Sequence, residues 1–339
     1  MSRPEAEAAV RAWRDALAAL DPSEHLQTAL SPQGLRAVWD VALDALSDEA
    51  LEQAWRSPGV PWRHATLVVA RTVVTAPLEW AAVLLGRGTE VLLKVPAEAP
   101  EVGQLLATVA GRAGLPLRVT AERAAVVRST GAPRLVVAMG SDATIDTLRD
   151  ELPAEARFLG FGHRYSVAWA PSPDELREAA VQIALHDTRG CRSPVAVFSE
   201  HPDAVAVLAE AMEEAEGRWP LGRRSDHEAA KLRARQALAR VVGSATDGPG
   251  WAVLALPVER FVPEALPRVA VVHTGGAEAL ARAVAPTREH LSVIGVGPQG
   301  RASDALRALS AHVVPLATMQ RPPVHRRHDG VDWVAATLR

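Results

Sequence analysis

The sequence predicts an α/β protein made of two consecutive α/β units, each with a mostly parallel sheet, sharing a cleft. Three observations predict it. At 339 residues the chain exceeds what one hydrophobic core usually serves. From His64 onward, short Val- and Leu-rich runs alternate with amphipathic stretches, and parallel neighbours need such helical crossovers. The alternation restarts after the turn PSPDE (171–175), which makes two sets of elements.

Residues 4–20 and 32–55 carry apolar side chains at spacings of three and four, as in AVRAWRDALAAL and LRAVWDVALDAL, and predict an opening helical layer. The first α/β unit then reads, strand and helix in turn, as ATLVVA, APLEWAAVLLGRG, TEVLLKV, EVGQLLATVAGRAG, RLVVAMG and SDATIDTLRDEL. In the second, residues 173–186 predict a helix and SPVAVFSE a buried strand. SDHE (225–228) is a capping box that opens a helix through about Arg240. WAVLALPV, RVAVVHT and LSVIGVG are strands, and GSATDGPG (243–250) reads as a loop. The expected division is helices plus the first unit over 1–168, the second unit over 169–314, and a C-terminal segment, 315–339, that returns to the first.

Hydrophobic residues make up 48% and charged residues 23% of the chain, with a net charge of −3. That balance argues against a disordered or fibrous chain and gives no long-range pull toward nucleic acid or an anionic membrane. The nine tryptophans are scattered, as core residues are, and build no base-stacking platform. No run reaches the ~18 apolar residues of a membrane span. The charged, amphipathic opening MSRPEAEAAVRAWRDALAAL reads as a folded helix and not as a signal peptide. One cysteine excludes an intrachain disulfide and an all-cysteine metal site, and a reduced, cytoplasmic setting is the simplest expectation.

Three stretches can carry chemistry. TEVLLKVPAEAP (89–100) ends a strand in Lys94; at the carboxyl end of a parallel strand an ammonium can meet a ribose or phosphate, or it can simply be solvated. RLVVAMGSDATIDTLRDEL (134–152) runs from a strand through Gly140 and Ser141 into a helix. The helix start suits a diphosphate, although Ser141 or Asp142 also serves as an ordinary N-cap. HDTRGCRSPVAVFSE (186–200) holds the single cysteine, Cys191, between Arg189, Gly190, Arg192 and Ser193. Those flanks do not suit an apolar core, so the thiol is a candidate nucleophile near backbone amides, against the alternative of a small buried hydrophobe. His186 beside Asp187 is a candidate proton acceptor for it, or a helix-ending histidine. His163 is a candidate proton donor. His325 and His328, in VHRRHDG, are read as structural or cleft-lining, and no metal is expected.

The order of these stretches resembles the aldehyde dehydrogenase superfamily, and within it the long-chain acyl-CoA reductases of bacterial bioluminescence. The resemblance rests on VVAMGSDATIDTLRDELPAEARFLGFGHRYSVAW (136–169), DTRGCRSP (187–194) and MQRPPVHRRHDG (319–330). It runs from about Leu67 onward, with the first sixty residues short for the family. It implies an aldehyde dehydrogenase-like fold of two Rossmann-like domains, in which Cys191 attacks an acyl thioester, releases CoA, and is relieved of the acyl group as an aldehyde by NADPH. Lys94 would bind the adenosine ribose or its 2′-phosphate, Gly140 and Ser141 would support the diphosphate, and Glu264 would grip the nicotinamide ribose. Gly160, in GFG, stands where oxidising relatives carry a water-activating glutamate, which favours the reductase. Arg71 and Thr72 stand where the superfamily uses an oxyanion-binding asparagine; Thr72 can donate a weaker hydrogen bond, and a lost donor costs roughly 10²–10³-fold in rate. The alternative reading is therefore a weakened homologue that binds acyl chains or assembles with a partner enzyme. Relatives generally self-associate, through elements that are reduced here, and a small homo-oligomer is the expectation for this chain.

Overall fold

The computed structural model describes residues 1–127, 134–298, 303–309 and 312–339. They form two compact units, one of residues 1–28, 39–163 and 323–339, the other of residues 29–38 and 164–322.

In the first unit, helix α1 (Arg3–Ala18) begins in a reciprocal capping box between Ser2 and Glu5 and buries Ala6, Val10, Trp13 and Leu17, one stripe at helical spacing. The helical stretch expected over 32–55 is two helices, α2 (Pro32–Asp44), whose residues up to Val38 belong to the second unit, and α3 (Asp48–Trp55), because Ser47 accepts from the amide of Ala50 and starts a new one. There follow β1 (His64–Val68), α4 (Ala76–Gly86), β2 (Glu90–Lys94), α5 (Glu101–Arg112), β3 (Leu117–Thr120), α6 (Arg123–Val127), β4 (Leu135–Met139), α7 (Asp142–Glu151) and β5 (Arg157–Phe161). The five strands pair in parallel in the order β3-β2-β1-β4-β5. The chain thus starts in the middle, winds outward to one edge, then crosses back to build the other. Open parallel sheets bind ligands at the carboxyl ends of strands beside such a reversal, here between β1 and β4.

The second unit contains β6 (Tyr165–Trp169), α8 (Pro173–Ala184), β7 (Pro194–Ser199), α9 (Ala204–Arg218), α10 (Asp226–Val242), β8 (Ser244–Asp247), β9 (Ala252–Ala255), β10 (Val269–Thr274), α11 (Ala277–Val284), β11 (Leu291–Val296), α12 (Asp304–Arg307) and β12 (Val313–Pro315). Its sheet runs β12-β11-β6-β7-β10-β9-β8. Tyr165 already opens a strand of this sheet, so the long segment of the second unit runs from Arg164, whereas 169 is expected from sequence. Alternate strand residues feed opposite faces: Phe198, Leu254 and Val271 pack in one cluster, Val197, Val253 and Val272 in the other. The expected capping box is present, with Ser225 accepting from Glu228 and Glu228 reaching back. The expected loop 243–250 is a correction: Ser244–Asp247 is the edge strand β8, antiparallel to β9. Its polar, exposed residues carry no apolar run, and only the backbone ladder reveals it.

Residues 323–339 complete the first unit with a short hairpin, β13 (Arg327–His328) and β14 (Val331–Asp332), and a last turn of helix, α13 (Trp333–Ala336). Arg87, at the end of α4, is buried beneath them. It donates to the carbonyls of Ala54 (2.6 Å) and Val334 (3.0 Å) and to Thr337 Oγ1. Burial draws its pKa down to about 10, which leaves it a cation. Arg326 pairs with both oxygens of Glu79 at 2.8 and 2.7 Å, and Trp333 packs on Trp80 with ring centroids 4.3 Å apart.

Candidate active site

Cys191 lies in the second unit on the turn between α8 and β7, and it is exposed. The turn around it is fixed by polar contacts, mostly buried or half-buried. The carbonyl of Cys191 accepts from Ser166 Oγ on β6 at 2.7 Å, and Ser166 Oγ accepts from the amide of Val293 on β11. Arg192 Nε donates to the carbonyl of Met319. Ser193 Oγ accepts from Gln320 Nε2 (2.6 Å), which also reaches the carbonyl of Gln182, while the Gln320 amide donates to Gln182 Oε1. On the other flank Arg189 grips both oxygens of Glu228, the capping residue of α10, and the carbonyl of Arg223. A turn whose backbone is tied at Cys191 and whose side chains are tied at residues 189, 192 and 193 limits the directions open to the thiol, which is what a nucleophile requires.

His186 is folded under this turn and buried. A Cβ on Gly190 would lie 3.5 Å from the His186 ring carbon Cγ, so the backbone wraps closely over it. Burial pushes its imidazole down to about 4 and holds it neutral. A base that weak is poorly matched to a thiol, whose ordinary pKa is about 8.5. The geometry therefore makes His186 the core of the turn, and the expectation of a proton acceptor finds no support in it.

The other expected residues gather on the carboxyl edge of the five-stranded sheet. Lys94 ends β2 beside Val68 of β1, which in turn neighbours Ala138 of β4. Thr72, exposed, lies in the loop that leaves β1. Gly140 and Ser141 follow β4, and Ser141 Oγ accepts from the amide of Thr144 at 3.3 Å to cap α7. The three glycines here have different reasons. A Cβ at Gly160, within β5, would come 2.5 Å from Ile145 Cγ2 on α7, and one at Gly162 would meet the Asp142 carboxylate. Packing demands the first; at Gly162 the atom met is the end of the flexible Asp142 side chain. Gly140 is otherwise: the nearest side-chain atoms would be those of Thr144 at 3.6 Å, ordinary contact, so its bare backbone leaves the start of α7 approachable. His163 donates its amide to Asp142 Oδ1 (2.8 Å).

Glu264 is placed in the second unit, ahead of β10, where its oxygens meet Lys231 (2.6 Å) and Arg235 (3.7 Å) of α10. A cavity of about 780 Å³ opens at the carboxyl edge of the second sheet, lined by Trp169, Glu200, Thr274, Gly276 and Arg282. Glu200 follows β7 and Cys191 precedes it, so cavity and cysteine lie at opposite ends of that strand. Among the described residues no group of His, Cys, Asp and Glu is arranged to hold a metal, and no helix is long and apolar enough to cross a membrane.

Sequence reasoning missed Ser166, Gln182, Arg268 and Gln320. Arg268 pairs with Asp187 across 81 positions, and Gln320 reaches Ser193 across 127. The one local signal was a charged residue, Arg268, set at the head of the apolar run VAVVHT.

A family model described as acyl-CoA reductase (LuxC) matches residues 130–336, more than half of the chain. No curated protein sequence matches it. Among solved structures, aldehyde dehydrogenase 21 from Physcomitrella patens, in complex with the reaction product succinate, is similar at 12% identity with a TM-score of 0.72, over 93% of this chain and 78% of that one. A gamma-glutamyl-gamma-aminobutyraldehyde dehydrogenase from Burkholderia cenocepacia gives 16% identity and 0.71, over 93% and 76%. The NADP-dependent glyceraldehyde-3-phosphate dehydrogenase from Bacillus halodurans, complexed with NADP, gives 15% and 0.66, over 96% and 80%. At these identities the likeness establishes the aldehyde dehydrogenase fold.

Proposed function

Because the chain belongs to the acyl-CoA reductase (LuxC) family, we propose that it reduces an acyl thioester to an aldehyde through a covalent intermediate on Cys191. The observation that carries this reading is an exposed cysteine on a turn tied down at every neighbouring residue. In the first half-reaction the Cys191 thiolate adds to the thioester carbonyl, the oxyanion collapses, and the C–S bond to CoA breaks. The acyl group is then a thioester of Cys191. Thioester exchange needs no activated water, and Gly160 offers no carboxylate to activate one.

The residues on the first sheet fit a dinucleotide. Lys94 would meet the adenosine ribose or its 2′-phosphate, and the open backbone at Gly140 would let a diphosphate approach the start of α7. NADPH, when bound, supplies the hydride that turns the acyl-enzyme into aldehyde and regenerates the thiolate. A second reading, an acyl-binding subunit with weakened chemistry, is favoured by Thr72, an exposed hydroxyl where the superfamily has a fixed amide.

Nicotinamide absorbance with decanoyl-CoA and NADPH separates the two. The enzyme consumes NADPH, Cys191→Ala does not, and intact-mass measurement without NADPH shows a decanoyl adduct on the unsubstituted protein alone. Equal rates for both proteins sink the nucleophile. An adduct that forms but is never reduced supports the subunit.

A further inference from the structure

Among the described residues, four non-glycine residues have left-handed φ, and three of them come together at the end of α8, just ahead of Cys191: Asp187 (49°), Thr188 (59°) and Arg268 (55°). A Cβ crowds the backbone in that region, most of all when it is branched as in threonine, so glycine is the usual residue where a helix ends this way. Such strain persists only where surroundings impose it, and it gathers at functional sites. Here the surroundings are identifiable. Arg268, wholly buried, directs Nε and Nη2 to Asp187 Oδ1 at 2.9 and 2.5 Å, and Nη2 also to the carbonyl of Ala184, the last residue of α8. Its Nη1 is anchored on the carbonyl of Trp219 (2.8 Å) and on Glu216. Asp187 Oδ2 accepts from the amide of Gly222, the Arg268 amide donates to the Asp187 carbonyl, and the Thr188 amide closes onto Ile183 at 2.9 Å. Thr188 Oγ1 is buried with no partner, so its side chain gives no local reason for the conformation.

We propose that Asp187 and Arg268 are positioning residues for Cys191: the buried pair forces the chain through two left-handed residues at the end of α8, and that reversal sets the sulfur outward at a fixed angle. A glycine-softened end to α8 would be easier to fold and looser to hold. This rests on the reading of Cys191 as the acylated nucleophile.

Thr188→Gly is the decisive variant, because a merely structural role and a positioning role give it opposite signs. It removes a strained side chain and a stranded hydroxyl, so the urea midpoint rises. The single-turnover rate of decanoyl transfer at saturating decanoyl-CoA nevertheless falls by about 10-fold with KM unchanged, as displacing a reacting atom does. Asp187→Asn keeps an acceptor for Gly222 but loses the ion pair, and its acylation falls further, by about 10²-fold. A Thr188→Gly protein that is more stable and equally fast overturns the proposal, as does a loss confined to KM. Iodoacetamide alkylation, followed by intact mass, needs neither acyl-CoA nor NADPH: several-fold slower labelling of Cys191 in both variants is expected. If Cys191→Ala proves fully active, the functional reading fails by itself, and identical labelling rates in all three proteins then dispose of the positioning role as well.

Discussion

The two places where candidate chemistry lies are built in opposite ways. On the first sheet, Lys94, Gly140 and Ser141 occupy the carboxyl ends of β2 and β4, where a parallel sheet presents loops to a ligand without special arrangement. On the second sheet, Cys191 precedes β7, at the amino end of the strand, and it and its flanking residues are held by contacts from β6, α10, Arg268 ahead of β10, the Met319 carbonyl and the Gln320 side chain. A site that binds can rely on topology. A site that must aim one atom is wired by hand, through contacts distant in sequence.

Substitutions can break or sharpen that contrast. The largest effect belongs to Cys191→Ala, which loses acyl-CoA-dependent NADPH oxidation by at least about 10³-fold, whereas Lys94→Ala raises the KM for NADPH by about 10-fold and leaves that for NADH unchanged; steady-state kinetics with both cofactors reads the two. If Lys94→Ala proves as damaging as Cys191→Ala, the first edge is more than a binding surface.

The glycines give a second comparison. Gly160→Ala must push its Cβ into Ile145 and costs about 1–3 kcal/mol by urea titration. Gly140→Ala meets only ordinary contacts, so it leaves stability within about 0.5 kcal/mol and acts on the KM for NADPH instead. Equal losses of stability at the two positions would show that Gly140, too, is there for packing.

A third test lies in pH. With His186 held near 4 in the folded protein against 6.5 for an ordinary histidine, the unfolded chain takes up a proton that the buried ring refuses. Stability is then full above about pH 6.5 and declines as pH falls toward 4, by up to about 1.4 kcal/mol for each unit. His186→Gln flattens that part of the profile. Urea midpoints at pH 7, 6 and 5 for both proteins measure the difference, and parallel lines would mean that the imidazole is reached by solvent.

How much of this was legible in the sequence follows from the same contrast. Lys94 at a strand end, Ser141 at a helix start and the capping box of Ser225 and Glu228 are local patterns, and each appears where the chain predicts it. The exposure of Cys191 followed from its polar neighbours. The pairing of Gln320 with Ser193 left no trace, and Arg268 only the oddity of a charge at the head of an apolar run, because no local rule joins residues so far apart. The burial of His186 was not legible either: proximity in sequence to Cys191 suggests a base, whereas the ring is buried and held neutral. Strand β8 was missed because a polar edge strand owes its form to its neighbour's backbone.

Arg87 carries a consequence for how the molecule is made. Two of its three acceptors, Val334 and Thr337, belong to residues 323–339, yet the sheet that needs them is otherwise complete at His163. During synthesis the ribosome must deliver the whole of residues 164–322 before that guanidinium is satisfied, an interval of roughly 10–30 s at ordinary elongation rates. The unit that begins first is therefore sealed last, after all of the intervening second unit has been synthesised.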